Sequence, residues 1–333
     1  MNRRTFLRSA GLGTAFASLA GCRGTANGAE LILACYEASR PLYRTINRAF
    51  IELVERESGQ TIRLRPSFGG SSKQSQVVAD GLDASIVSLA VKPDVEHLVR
   101  KGLIDADWMN RFPNRSQPYS STIVFLTRRG NPHGIADWPD LVSRPNVKII
   151  ASNPKTGGAS RLAFLAAWGA IHLAGGSDAE AEAYLRSLYR RVPILDSSSR
   201  ASLVTFGRKQ MGDVLLTWEN EACLAKREFG DAVEIVYPQR SILAEPPIAI
   251  VDTNARRLNV ERTASQFVHF LYSDAGQRIV ADEYYRPHTM DRNSPFPAIE
   301  RFPIEAVVPG GWEAAQSRFF DEGGMFDRIY ESI

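Results

Sequence analysis

Apolar residues along this chain switch repeatedly between short solid runs and a three-and-four spacing. Leu31-Ile32-Leu33-Ala34-Cys35 is a solid run, the pattern of a strand covered on both faces. Ser39 then stands where a helix cap is needed, followed by Leu42, Ile46, Phe50, Leu53 and Val54 on one helical face, with Gly59 as the stop. Residues 61–68 alternate as a strand, 71–82 read as a helix, 84–91 as a strand and 94–101 as a helix. A less regular stretch, 104–121, carries Pro113 and Pro118. Thr122-Ile123-Val124-Phe125-Leu126 is a strong strand, placed to carry the chain into a second lobe. There the alternation resumes. Strand 147–152 leads to helices 160–174 and 178–190, strand 192–195, a helix from Ser199, and strands 214–218 and 233–237. Ile248-Ala249-Ile250-Val251 is placed to return the chain to the first lobe, which a helix near 260–281 would complete.

Alternating strands and helices predict an α/β protein with mostly parallel sheets flanked by helices. Two crossings predict a first lobe of residues 30–119 plus 248–333 and a second of 120–247. Between them lies a cleft faced by the loops at strand ends. There is no internal repeat and no low-complexity tract.

The amino terminus has a different character. Asn2-Arg3-Arg4-Thr5-Phe6-Leu7 precedes a short, glycine-containing apolar run without acidic residues, the pattern of a twin-arginine signal peptide over residues 1–21. Its end, Leu19-Ala20-Gly21-Cys22, looks like a bacterial lipobox. That likeness implies cleavage before Cys22 and a lipid on its sulfur, so the expected location is the periplasm or cell surface, tethered or free. The charge balance follows from this segment. Its three arginines (Arg3, Arg4, Arg8) account for the whole excess of 40 Lys+Arg over 37 Asp+Glu, and the remainder is neutral. The net charge of +3 therefore belongs to an export signal and not to a nucleic-acid-binding face. Beyond Cys22 only Cys35 and Cys223 remain. An oxidising compartment permits their pairing, but Cys35 sits in an apolar strand and buried free thiols are the expectation.

Four loops that run from a strand end to a helix start are rich in small or hydroxyl residues: Glu37-Ala38-Ser39, Gly69-Gly70-Ser71-Ser72, Thr156-Gly157-Gly158-Ala159-Ser160 and Ser197-Ser198-Ser199-Arg200. A helix's first turn leaves backbone N–H groups without acceptors, and its dipole favours negative charge there. Small residues let an anion come close. One such loop is ordinary capping. Four at corresponding places in both lobes point to an oxyanion.

These residues resemble the periplasmic sulfate/thiosulfate-binding proteins, from about Leu31 to Tyr330. Phe68-Gly69-Gly70-Ser71-Ser72-Lys73-Gln74 is similar to that family's first signature loop, and Pro118 to Leu126 with Gly130-Asn131-Pro132 to its crossover strand. Asn153-Pro154-Lys155-Thr156 and Leu165-Ala166-Ala167-Trp168-Gly169 correspond to its second signature. Asp213 to Glu221, Ile242 to Pro246 and Gly310-Gly311-Trp312 complete the likeness. The resemblance implies a two-lobed periplasmic-binding-protein fold of type II with a hinged cleft, a monomer without cofactor or metal. Its partners would be an ABC permease and that permease's ATPase. It also implies a site for an anhydrous dianion, with Ser71 giving its N–H and hydroxyl, and Glu37, Gly158, Ala159 and Ser199 giving backbone N–H groups. Trp218 would give its indole N–H. Three departures stand out. Gly157 replaces a contacting serine, a loss that Thr156, Ser160 or a water would have to make good. Glu37 replaces an aspartate and Ser199 an alanine. The longer acid raises the alternative of a protonated ligand such as hydrogen phosphate, or of a larger oxyanion such as molybdate.

Catalysis has little support in the sequence. The five histidines (His97, His133, His172, His269, His288) lack metal-ligand spacing, and there is no Cys-x-x-Cys, P-loop or Gly-x-Ser-x-Gly. An oxyanion-ester hydrolase built around Ser71 is the remote rival, and the expectation is a protein that is not an enzyme.

Overall fold

A computed structural model describes residues 28–288 and 296–333. The expected signal segment and Cys22 lie outside the described residues. Nine strands build two sheets. They are β1 (Glu30–Tyr36), β2 (Arg63–Gly69), β3 (Ile86–Ser88), β4 (Ile123–Arg128) and β5 (Ile149–Ser152). The others are β6 (Leu195–Asp196), β7 (Val214–Trp218), β8 (Val233–Val236) and β9 (Ile248–Ile250). The first sheet has the order β9-β3-β1-β2 and the second β6-β5-β7-β4-β8. Pairs β1–β2, β1–β3, β5–β6 and β5–β7 are parallel, as βα units require. The antiparallel pairs all involve β4 or β9, the two strands that arrive by crossing between sheets.

Register decides which loops meet. Tyr36 pairs with Gly69 and Cys35 with Ser88, so the turns after β1, β2 and β3 leave the first sheet side by side. In the second sheet Ser152 pairs with Asp196, which brings the loops after β5 and β6 together. Trp218 ends the neighbouring β7. The crossing segments bond to each other: Ser121 and Ala244 exchange both backbone hydrogen bonds (2.8 and 3.0 Å), and Thr122 Oγ1 donates to Ile242 O. Beside them the buried Arg286 guanidinium grips Glu219 through two bonds of 2.7 and 2.6 Å.

Local chemistry explains where elements depart from the sequence pattern. The helix Arg40–Ser58 ends at Gly59 in the left-handed conformation (φ 65°), a backbone that glycine adopts without strain. The long helix expected near 260–281 is two helices, Glu261–Tyr272 and Asp274–Asp282. Ser273 restarts the second by accepting from Gly276 N at 3.2 Å. The strand expected from Val192 begins only at Leu195, because Pro193 has no N–H for a ladder. The carboxyl-terminal segment makes contacts with elements of the expected second lobe. Glu300–Phe302 pairs with Arg240–Ile242, and Phe319, Phe320 and Phe326 surround Phe164 of the helix Gly158–Leu173. This segment therefore packs on the second-sheet side, where its aromatic rings find apolar cover.

Candidate functional site

The two bundles of loops meet around a small cavity. Glu37, Ser71, Gly157, Gly158, Ala159, Ser199 and Trp218 all line it, with Tyr36, Gly70 and Ala90. Its volume is about 20 Å³, where a single water needs about 10–15 Å³. A space of this size suits a compact ligand. The opposed walls are close. A Cβ on Gly158 would lie 2.5 Å from Ala90 Cβ and 3.3 Å from Ser71 Cβ, across the gap between the two sheets.

Donors dominate this cavity. Ser71 starts the helix Ser71–Ala79, Gly158 and Ala159 start the helix Gly158–Leu173, and Ser199 starts the helix Ser199–Leu203. Their first-turn N–H groups have no acceptor within their own helices. The Trp218 side chain is fully buried and its Nε1 has no hydrogen-bond partner. A buried donor without an acceptor is costly, and because Trp218 lines the cavity, an acceptor bound there would satisfy it. None of the lining residues is a cation.

Several sequence expectations change at the level of single atoms. Thr156 is not among the cavity-lining residues: its hydroxyl has two carbonyl acceptors within reach for its one proton, Asn153 O and Ser197 O (3.2 and 3.0 Å). Ser160 is likewise committed, to Asn153 O and Gly157 O (2.9 and 3.0 Å). Neither replaces the hydroxyl missing at Gly157, whose own N–H donates to Asn153 O. The Ser71 hydroxyl donates its single proton to Asp94 Oδ2 and accepts from Ala90 N, so only its backbone N–H remains for a ligand. The Glu37 carboxylate is engaged by Arg40 at 2.7 Å.

Four residues that sequence reading did not single out hold this arrangement. Asp94 and Arg161, both nearly fully buried, pair at 2.7 and 2.8 Å from opposite sides of the cavity, and Arg161 also donates to Ser72 Oγ at 2.6 Å. Asn220 Nδ2 and Tyr285 OH both donate to Ala38 O, at 3.2 and 3.1 Å, and pin the turn after β1. Asn220 reaches it from the helix after β7, so this bond too joins the two sides. Glu221, one residue on, is buried beside Thr217 Oγ1 (3.3 Å), and burial pushes its carboxyl up to about 7. Tyr285 and Glu221 had no signal in composition or spacing. Asn220 and Glu221 did stand within the matched Asp213–Glu221 segment.

A larger hollow of about 270 Å³ lies on the far side of the Asp94–Arg161 pair, bordered by His97, Arg100 and Lys155. It mixes both signs of charge in its wall, whereas no cation lines the smaller cavity, so the smaller cavity is the better candidate. Among the described residues no cluster of His, Cys, Asp and Glu could hold a metal, and no helix is long and apolar enough to cross a membrane. Cys35 and Cys223 are unpaired, and burial raises both thiols.

Comparison with known proteins agrees with this geometry. The chain is 42% identical over 306 residues to a sulfate-binding protein of Escherichia coli, covering 90% of this chain and 92% of that one. It is 39% identical over 314 residues to a thiosulfate-binding protein of Pseudomonas aeruginosa (92% and 94% covered). The solved sulfate-binding protein of Mycobacterium tuberculosis superposes with a TM-score of 0.79 at 29% identity, over 88% of this chain and 100% of that one. Residues 31–286 match the family described as bacterial extracellular solute-binding protein, and the chain belongs to that family.

Proposed function

We propose that this protein captures sulfate or thiosulfate in the cavity between its two sheets and presents it to an ABC importer. One observation carries the ligand assignment: a cavity the size of one small ion, ringed by first-turn amides and the unpartnered Trp218 indole, with no cation in its wall. A fully ionised oxyanion only accepts hydrogen bonds, and a site of donors satisfies it. Hydrogen phosphate also brings a proton that needs an acceptor. The one carboxylate in the wall, Glu37, is already held by Arg40.

The lobes in this reading are residues 30–119 with 248–299, and 120–247 with 300–333, the last segment reassigned on its packing. Donors come from both, so the ligand favours their closed arrangement. The role is binding without turnover, by a monomer. The amino terminus supports export by the twin-arginine route and attachment through a lipid on Cys22. Mass spectrometry of the membrane fraction, with Cys22→Ala as control, tests that attachment.

The deciding experiment is titration calorimetry on the anion-stripped protein beginning after Cys22, with sulfate, thiosulfate, molybdate, phosphate and a sulfonate. Tight one-to-one binding of sulfate or thiosulfate is the expected result. Tight phosphate binding without a sulfate response overturns the ligand assignment, and hydrolysis of sulfate esters overturns the non-enzymatic role.

A further inference from the structure

Beyond the Asp94–Arg161 pair, the hollow of about 270 Å³ has a wall whose charges are mostly spent. Lys155 gives its three donors to Phe320 O, Asp321 O and Asp327 Oδ2 (2.9, 3.0 and 2.7 Å). Asp94 is held by Arg161, and Asp321 Oδ1 accepts from Gln316 Nε2 at 2.9 Å. What remains is donor capacity. Arg161, only 4% exposed, uses Nη1 on Gln316 and Nη2 on Asp94 and Ser72, and its Nε has no partner. His97 borders the same hollow, and its Nε2 is buried and also without a partner. Arg100, three residues on in the helix Lys92–Arg100, is exposed and forms no ion pair among the described residues. Pro93 and Pro154 add apolar wall from the two sides.

We propose that this hollow is a second site, for a small organic carboxylate, and that its occupation favours closure around the first cavity. The ligand class follows from what is unspent. A guanidinium without a counter-ion and two buried nitrogens without partners would be satisfied by acceptor oxygens, and a carboxylate matches a guanidinium in charge and geometry. The prolines suit a carbon skeleton more than a bare ion. At about 270 Å³ the space falls just under the roughly 300–1,000 Å³ of drug-sized pockets, so a molecule of a few carbons fits. Binding leaves the Asp94–Arg161 pair intact, because Nε is the guanidinium nitrogen that Asp94 and Ser72 do not use. Ser72, His97 and Arg100 belong to helices on the first-sheet side, and Pro154, Arg161 and Gln316 to the second. An occupant that touches both sides stabilises their closed arrangement, and by linkage each ligand then raises the affinity of the other by the same factor.

The site stands apart from the oxyanion reading, while its coupling to the first cavity rests on that reading. The probes are malonate and succinate, titrated by calorimetry into the protein in saturating sulfate and again into the anion-stripped protein. With sulfate in the first cavity, only the second can respond. The expected result is a dissociation constant of about 1 mM or tighter in saturating sulfate, at least about fivefold weaker without it. Arg100→Gln and His97→Leu should each weaken malonate binding at least about fivefold, with sulfate binding in the absence of malonate unchanged. Arg100 is exposed, so its replacement spares the fold. No binding of either dicarboxylate in saturating sulfate overturns the site, and so does equal binding by wild type and both variants. Binding of equal strength with and without sulfate overturns the coupling. If sulfate fails to bind while malonate binds and both variants weaken it, the oxyanion reading falls and the second site stands.

Discussion

Replacing Trp218 by phenylalanine isolates a single donor. The indole is fully buried at the end of β7, its ring centroid 5.6 Å from that of Tyr36, and its Nε1 has no partner within the protein. Phenylalanine keeps most of the aromatic surface against Tyr36 and removes the N–H. A hydrogen bond to a charged acceptor contributes about 1.5–3 kcal/mol, and at about 1.4 kcal/mol per decade the loss in affinity is about ten- to a hundredfold. The anion-free protein behaves differently. There the N–H is a buried donor without an acceptor, so its removal relieves a penalty that offsets part of the lost packing. The combined signature is a large fall in sulfate affinity with a small change in the melting temperature of the anion-free protein. Calorimetry for the first and far-UV circular dichroism for the second measure both. A variant that binds sulfate within threefold of wild type, at unchanged melting temperature, refutes the role of the indole and the claim that its empty valence marks a ligand.

Other perturbations separate the parts of the site. Gly158→Ala would put a methyl group 2.5 Å from Ala90 Cβ. Overpacking of this kind costs about 1–3 kcal/mol and here falls on the closed form, so affinity should drop at least about fivefold with little loss of fold stability. Asp94→Asn leaves Arg161 buried without its countercharge, a loss of about 3–5 kcal/mol when one partner of such a pair is removed. Small-angle scattering in saturating sulfate should then show a more open particle than wild type. Asn220→Ala deletes one of two hydrogen bonds to Ala38 O, about 0.5–1.5 kcal/mol, and calorimetry should read a loss of about two- to tenfold. Glu221 also predicts a stability profile. Its carboxyl is raised from 4.5 to about 7 in the folded protein, so between those values the folded state holds a proton that the unfolded chain has lost. Stability from this group is therefore greatest at or below pH 4.5 and declines by about 3 kcal/mol as pH rises to 7. Urea unfolding should show that decline in wild type and not in Glu221→Gln.

The sheets were legible because their strands are solid apolar runs and their helices carry regular faces. Leu31 to Cys35 and Val214 to Trp218 could hardly be anything else. Most residues of the cavity wall stand at strand-to-helix loops whose small and hydroxyl types the sequence displays. What stayed hidden are contacts whose partners lie far apart in the chain. Asp94 and Arg161 are 67 positions apart, and Asn220 and Ala38 are 182 apart. No local pattern marks either pair. The hydroxyls misled for a related reason. Thr156, Ser160 and Ser71 look alike in a list of donors, yet each had a nearer acceptor: backbone carbonyls for the first two, Asp94 for the third. Residue type announces the capacity to donate, and only geometry shows where the proton goes.

That distinction bears on how the proposed site would hold a double negative charge with no cation in its wall. One buried cation between the two sides, Arg161, is neutralised by Asp94. Had Arg161 been free to contact the anion, the attraction would act from one side, and closure would add little. Paired as it is, the guanidinium draws the two sides together, and in the proposed reading the work of holding the anion passes to oriented amides from both. Amides at helix starts carry only partial charge, so each acts strongly only at contact distance and in a dry space. A site of this kind is selective because it is weak unless complete. In the proposed reading its affinity depends on closure around this small cavity, and any substitution that holds the walls apart would remove several donors at once.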